Sequence, residues 1–553
     1  MIALIPTLMV LSGVLGGTVI VVCPGPWQQE LAPWVQQRTA QGHRVVVLAY
    51  RGEAAAELAA RVQARLRTTE GDRYVLLVGD APPGLEEAGR DGAASGASMF
   101  PRRAVPMFYR RSRVVPGVKH IATDAPYGDL DGDDCPEVAV GRWSVSTREE
   151  LRQVVRKTLA YGKRLSAVAS RPAELVFWAG HGGFGPVTDR VIQLCTRRVL
   201  AGELPPECPV RVLPPHAAVS QGDSQQRSGQ LPAGSVRFWV YMGHGFVRGL
   251  SPLPQRSWTA ENLLGPHAPK PNGTLAVLLC CESGYLDHPL PCLAEQLLRH
   301  RAGPAAVLAG SRVTMPYGMA VLGRGLLRYH FAAESAAGES TLGRMFLAAQ
   351  RRAFFRPDMP PDDALACVID QAARWLNIHP HLKRERCEHV WLFNLLGDPT
   401  LPLPRLPRLK LKIPPRLAAG EEVTLQVRSP RPGRMRVQLF RPLEVPLERL
   451  RPSKDPDPAV QNKQRLAAAP GTAVEASPEK RRVLDRPLAR KIAPGQENTW
   501  VPVRLRLPQL SSGRYELLLR VEGSRGAARG WASVEVTPAA EQAGSPAEEI
   551  VPN

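Results

Sequence analysis

Apolar residues run on without interruption in some stretches of this chain and recur with helical spacing in others, and the two patterns take turns. Thr18 to Cys23, Arg44 to Tyr50, Tyr74 to Gly79 and Glu174 to Trp178 are continuous apolar runs, and so are the runs in SVRFWVYMGHG, TLAVLLCC and AAVLAGS between Ser235 and Ser311. Each is too short for a free-standing helix and too continuous for a one-sided strand, so they predict buried parallel strands. Between them, Gln28 to Gln41 puts Leu31, Trp34 and Val35 on one face, with Pro33 suited to a first turn. Glu53 to Arg67 is Ala-rich, and Thr147 to Arg164 opens with a Thr147/Glu150 capping box and carries Leu151, Val154, Val155 and Leu159 on one side. The alternation predicts an α/β fold, a parallel sheet covered by helices. Beyond Ser311, helices are expected within Met319 to His330, Ser340 to Phe355 and Asp362 to Asn377, and Asn394 to Pro399 closes the domain.

The period changes to two after a Pro-rich link, Pro402 to Pro407. Leu409 to Ile413, Glu422 to Val427, Arg434 to Phe440, Val501 to Leu507, Arg514 to Val521 and Trp531 to Val536 alternate apolar and polar residues. They predict a small immunoglobulin-like β-sandwich over 405–538. A Pro-, Lys- and Ala-rich insert, about 442–496, and the tail 539–553 are too poor in apolar residues to fold, and Pro82 to Gly96 reads as a loop. The expected organisation is a segment 1–17, an α/β domain 18–404 in two parts (18–143 and 144–404), and the sandwich.

Composition adds little to this. The 553 residues allow two or three cores. A net charge of +20 invites a nucleic-acid reading, but the basic residues are mostly Arg, dispersed among Ala and Pro, and no nucleic-acid motif accompanies them. No nucleic-acid partner is expected. Nine cysteines show no CxxC pair and no zinc spacing, which leaves the redox compartment open. MIALIPTLMVLSGVLGG at the start lacks a leading Lys or Arg. It reads either as a short secretory signal, implying a secreted or cell-envelope protein, or as the lead-in to the first strand. No transmembrane span is expected.

The chemistry gathers where two of the apolar runs end. One ends in Gly243-His244-Gly245, the next in Cys280-Cys281-Glu282-Ser283-Gly284. Functional groups collect beyond the carboxyl ends of parallel strands. A thiol there becomes a nucleophile when an imidazole takes its proton, and the backbone N–H groups of Gly245 and Cys281 could receive an oxyanion.

GHG followed by CESGYLDHPLPCLAEQLL resembles the catalytic region of the gingipain-like cysteine peptidases, which have a caspase-like fold. YVLLVGDA at Tyr74 to Ala81, DAPYGDLDGDDCPEVAVGR at Asp124 to Arg142 and FNLLGDPTLPLP at Phe393 to Pro404 agree in the same order. The resemblance covers roughly residues 18 to 404. It implies a cysteine endopeptidase with protein or peptide substrates and a His244–Cys281 dyad, with Cys281 rather than Cys280 as nucleophile. Adjacent strand residues face opposite ways, so only one of the two thiols points toward His244.

Three further features bear on this reading. Asp129, Asp131 and Asp133 alternate in one loop, followed by Asp134 and Glu137. Hard oxygens at this density suit Ca²⁺, yet the spacing is not that of an EF-hand, and a solvated polar turn explains it equally. The family commonly binds calcium, which favours a structural site at Asp129, Asp131, Asp133 and Glu137. A second GHG, Gly180-His181-Gly182, stands where the family pattern has a carboxylate that orients the catalytic imidazole. The enzyme then works as a dyad, or Asp189 substitutes, or activity is weak or lost. Asp189 is also a candidate specificity-pocket acid for Arg or Lys, or simply a helix N-terminal residue. The remaining histidines read as surface or core residues. Two other functions stay in play: a non-catalytic member acting as a binding or surface-attachment module, and a metal-dependent hydrolase using His181, His244 and the aspartates.

Overall fold

The computed structural model describes residues 16–84, 104–114, 117–168, 174–205, 208, 210–213, 236–253, 256–265, 275–331, 340–376, 381–403, 407–414, 416–440, 488–524 and 526–537. The expectations for residues 1–15, most of the 82–96 loop, residues 441–487 of the insert and the tail fall outside these. The chain forms two compact units, dividing after Arg408.

In the first unit, β1 (Gly17–Pro24), α1 (Ala32–Ala40), β2 (Arg44–Tyr50), α2 (Ala55–Arg67) and β3 (Asp72–Val78) follow the predicted alternation. A hairpin of β4 (Phe108–Arg111) and β5 (His120–Thr123) precedes β6 (Ala139–Trp143) and α3 (Arg148–Val168). Then come β7 (Glu174–Ala179), α4 (Pro186–Glu203), β8 (Val210–Leu213) and β9 (Val236–Met242). The stretch expected as a loop after Gly245 instead holds β10 (His244–Phe246), β11 (Gly249–Leu253) and β12 (Arg256–Thr259), a small antiparallel sheet, then α5 (Ala260–Leu264). Strands this short carry too little pattern to be seen in sequence. The unit finishes with β13 (Leu275–Leu279), α6 (Leu293–Arg299), β14 (Ala306–Gly310), α7 (Pro316–Phe331), β15 (Ser340–Thr341), α8 (Leu342–Phe355), α9 (Ala364–Trp375), α10 (Leu382–Leu392), β16 (Phe393–Leu396) and β17 (Pro402–Leu403). Pro402, expected in a linker, starts a strand paired with β15.

Ten strands form one sheet in the order β2-β1-β3-β6-β16-β14-β13-β9-β7-β8. All neighbours are parallel except β14 and β16. β16 meets β6 through a single pair, Leu396 with Arg142, and across it the carboxyl ends of β6 and β13 come together: Ser144, just after β6, donates to Glu295 at 2.6 Å, whose carboxylate also accepts the Cys292 N–H at 2.8 Å. Both faces are covered, which is why the strands read as continuous apolar runs. Val21, Leu76, Trp178, Trp239, Tyr241 and Leu278 pack on one face with Trp34 of α1, Leu151 of α3 and Leu297 of α6. On the other, Val22 and Leu77 meet Leu58 and Val62 of α2, while Phe177, Val240 and Leu279 meet Met319 and Leu322 of α7.

The second unit holds β18 (Lys410–Lys412), β19 (Arg416–Ala418), β20 (Glu422–Arg428), β21 (Gly433–Phe440), β22 (Ala489–Gly495), β23 (Trp500–Arg506), β24 (Gly513–Gly523) and β25 (Gly526–Thr537). Sheets β18-β20-β23 and β19-β25-β24-β21-β22 share one core, with Leu425 and Val503 from the first facing Val437, Leu519 and Val534 from the second. The insert was drawn too wide. Ala489–Gly495 is an edge strand on β21, and its Arg490 and Lys491 are exposed, which hid it in a low-hydrophobicity stretch.

Candidate active site

The two GHG motifs lie side by side. β7 and β9 pair in parallel with Ala179 opposite Met242, which brings Gly180 next to Gly243 and His181 next to His244. Gly180 N–H donates to Met242 O at 2.7 Å. Glycine is required here by close approach: a Cβ on Gly180 would stand 2.8 Å from the Tyr241 hydroxyl and 3.1 Å from Gly243 Cα. The buried Tyr241 hydroxyl donates to His244 O at 2.8 Å and fixes the turn out of β9.

The His244 ring has a definite tautomer. Its Nε2 lies in hydrogen-bond contact with Gly182 O. A carbonyl only accepts, so Nε2 carries the hydrogen and Nδ1 keeps a free lone pair. The position that the family pattern gives to a carboxylate is thus served by a backbone oxygen. Asp189, in the first turn of α4, holds that oxygen's loop. Its carboxylate accepts N–H from Gly183 and Phe184, both at 3.1 Å, and a Cβ on Gly182 would overlap it at 2.1 Å. His181 does not replace the missing acid. Its ring centroid is 4.8 Å from that of His244, and burial first, then the neighbouring His244, holds its pKa below the usual imidazole value. It sits beside the catalytic ring as a neutral group.

The two adjacent cysteines diverge as strand geometry requires. Cys280 belongs to the face of Trp178 and Tyr241, is wholly buried, and donates to Ser283 Oγ at 3.4 Å. Burial pushes its thiol pKa far up. Cys281 faces the other way. Its sulfur receives the Thr314 N–H at 3.4 Å and contacts Thr314 O and Oγ1 at 3.8 Å. Gly245 packs on this turn so closely that a Cβ would meet Cys281 O at 2.7 Å and Cys280 Sγ at 2.6 Å. The strand end bearing His244 therefore rests against the turn bearing Cys281. Glu282 follows at φ 55°, a left-handed conformation that costs a non-glycine residue energy and is maintained by the surrounding bonds. Among them are Glu282 N–H to Arg312 O at 3.0 Å and Gly284 N–H to Gly310 O at 2.8 Å.

A buried fork holds the rest of the loop. Arg312 pairs with Asp287 through two bonds of 2.8 and 2.7 Å and lies 3.9 Å over the Tyr285 ring. His389 supports Thr314 from behind: its Nε2 accepts the Met315 N–H at 3.0 Å and its Nδ1 donates to Glu385 O at 2.8 Å. Burial lowers its pKa to about 4, so it stays neutral. It was read as a surface or core residue, and it is buried.

In the acidic loop, the carboxylates of Asp129, Asp131 and Glu137 offer oxygens within 4.8 Å of one another. Asp133 is not in that group; its carboxylate accepts the Cys135 N–H at 2.8 Å. Burial, reinforced by Glu137 and Asp133, raises the pKa of Asp129 even though it accepts N–H from Gly132 and Asp134. Glu137 also pairs with Arg351 at 2.6 Å.

A thiol and an imidazole thus stand at the ends of neighbouring parallel strands, the types of group a cysteine peptidase uses. The chain belongs to peptidase family C25, whose sequence model matches residues 15–404. No curated protein matches it. Among solved structures it is similar to a chain described simply as a protease (15% identity, 94% of this chain and 97% of that one, TM-score 0.48). It is also similar to the Arg-specific cysteine proteinase gingipain R, RgpB (14% identity, 94% and 98%, TM-score 0.47), and to the complex of Porphyromonas gingivalis RgpB pro- and mature domains (14%, 94% and 100%, 0.46).

Proposed function

We propose that this protein is a cysteine endopeptidase working through Cys281 and His244. The observation that carries the reading is the His244 ring itself, with Nε2 bound to Gly182 O and its strand end packed on the Cys281 turn. Nδ1 takes the thiol proton. The thiolate attacks the scissile carbonyl carbon, a C–S bond forms, and the N–H groups of Gly245 and Cys281 receive the oxyanion. Collapse breaks the C–N bond, and the imidazolium gives its proton to the departing amine. Water then adds to the thioester, passing a proton to His244. The C–S bond breaks, the acid product leaves and the thiol is restored. Gly182 O orients the imidazolium as a carboxylate would, without its charge.

Calcium is part of the same proposal. Asp129, Asp131 and Glu137 supply the hard oxygens that Ca²⁺ takes, within 4.8 Å of one another. Bound there, the ion would brace the loop before β6; it takes no part in the bond chemistry. The second unit, with two sheets around one core, fits an immunoglobulin-like module that supports or presents the peptidase unit.

The test uses internally quenched peptides with blocked termini, so that only internal cleavage gives signal. Wild type and Cys280→Ala should cleave, and Cys281→Ala should lose at least about 10⁴-fold in kcat. Equal rates for wild type and Cys281→Ala would sink the assignment.

A further inference from the structure

The half-sheet that carries the catalytic pair encloses an apolar cavity of about 90 Å³ between its outer face and helices α4 and α7. Ile192 of α4, Met242 of β9, Leu279 of β13, and Pro316, Met319 and Ala320 of α7 are among its walls. Two chain relations tie it to the site. Met242 and Leu279 stand two residues before His244 and Cys281, and residues two apart project from the same face of a strand. Met319 Sδ accepts a hydrogen bond at 3.1 Å from Thr314 Oγ1, and the same Thr314 gives its N–H to Cys281 Sγ. The cavity wall and the nucleophile are therefore one side chain apart.

Among the described residues, no carboxylate lines this space. Its few polar groups are closed by other partners. Arg324 pairs with Glu203 at 2.6 Å and Asp363 at 2.7 Å, and the Thr196 hydroxyl donates to Ile192 O at 2.8 Å. Asp189, the acid closest in sequence, spends its oxygens on Gly183 and Phe184 N–H. A guanidinium or ammonium entering here would be stripped of water beside Arg324 with no anion to meet it. Beside His244 the surface is apolar as well: Phe184, 51% exposed, has its ring centroid 5.5 Å from that of His244, and Val187 in the first turn of α4 is 58% exposed.

We infer that this cavity receives the side chain preceding the scissile bond, and that the enzyme cleaves after Leu or Met and rejects Arg and Lys. The inference rests on the catalytic reading of Cys281 and His244. Ile192, Met242 and Met319 are the specificity-determining residues. A dry apolar void of roughly 150 Å³ admits a guest the size of benzene, and this smaller one suits a single aliphatic or thioether side chain.

The experiment compares full-length protein on quenched peptides that differ only before the scissile bond: Ala, Leu, Met, Phe, Arg or Lys. The Leu peptide should exceed the Arg peptide in kcat/KM by roughly 100-fold or more, since an unpaired buried charge discriminates strongly. Ala320→Phe, which fills the cavity, should erase the Leu preference while the Ala peptide is still cut. Ile192→Asp should raise cleavage after Arg. A wild-type preference for Arg or Lys overturns the inference, and so does a folded Ala320→Phe with an unchanged profile. Peptidyl chloromethyl ketones with Leu or Arg at the same position, read by mass spectrometry at Cys281, separate the two levels. Alkylation favouring the Arg reagent overturns the pocket alone. No alkylation by either reagent, with no peptide cleaved, overturns the peptidase reading and the pocket with it.

Discussion

The two halves of the ten-stranded sheet are built alike and end differently. Around β3, β6 and β16, charged side chains are closed against one another. Asp398 takes Arg38 at 2.6 Å and the Trp34 N–H at 2.5 Å, and Asp80 and Glu295 share Arg299 at 2.9 Å. Beyond the carboxyl ends of β7, β9 and β13, the groups are left open. His244 spends one nitrogen on a backbone oxygen, and among the described residues only Thr314 is hydrogen-bonded to the Cys281 sulfur. Desolvated charge that finds full compensation holds a fold together, whereas a nucleophile and a base must keep unspent capacity. The two regions of one sheet thus differ in how completely their hydrogen bonds are satisfied.

The largest effect that would sharpen this contrast is in the closed region. Asp398→Ala leaves Arg38 and the Trp34 N–H buried without their partner and should cost roughly 3–5 kcal/mol in urea unfolding. A loss below about 1 kcal/mol, the surface-pair range, would break the comparison. In the open region, Asp189→Ala should free the loop that presents Gly182 O. We expect kcat to fall on the order of 100-fold, with urea stability little changed, because misplacing a catalytic group by an ångström costs about that much. A drop confined to KM would instead return Asp189 to substrate binding. Calcium removal tests the acidic loop before β6. With the ion at a hundredfold over its Kd, EGTA should remove about 2.7 kcal/mol of stability. Asp129→Asn should abolish that response and Asp133→Asn should keep it; an EGTA response that survives Asp129→Asn rules out this cluster.

The smallest effect is in pH. Burial, with Asp80 beside it, raises the pKa of Glu295 to about 8. An acid whose folded pKa is raised stabilises fully below its unfolded value, and that stability is lost as pH climbs through the folded one. Between pH 5 and 8 the wild-type Tm should therefore fall by roughly 2–4 °C more than that of Glu295→Gln, which mimics the protonated acid. Parallel curves would mean that Glu295 is ionised throughout.

Sequence carried the sheet well and the site unevenly. Strands buried on both faces, such as Thr18 to Cys23 and Leu275–Leu279, announce themselves by unbroken apolar runs. β8 and the small sheet after His244 are too short to do so, and β22 is masked by its exposed basic residues. That the adjacent thiols Cys280 and Cys281 face opposite ways was legible, because strand alternation separates them; the preference for Cys281 came from the family resemblance. Gly182 was not, since its contribution is a main-chain oxygen, and no side-chain pattern marks it. Nor could the motifs ending in Asp80 and Asp398 be told from the catalytic ones. Their partners Arg299 and Arg38 lie 219 and 360 residues away, so only folding reveals that they are scaffold.

The opposed thiols of Cys280 and Cys281 have a consequence under oxidative stress. A disulfide needs its two Cβ atoms turned toward each other, and here Cys280 Sγ is packed inward on Ser283 while Cys281 Sγ faces Thr314 across the strand end. Joining them would mean rebuilding the turn through Glu282. Cys281 therefore has a thiol as its immediate neighbour in sequence that cannot readily quench it, and a mild oxidant should convert Cys281 to its sulfenic acid before it makes a vicinal bond.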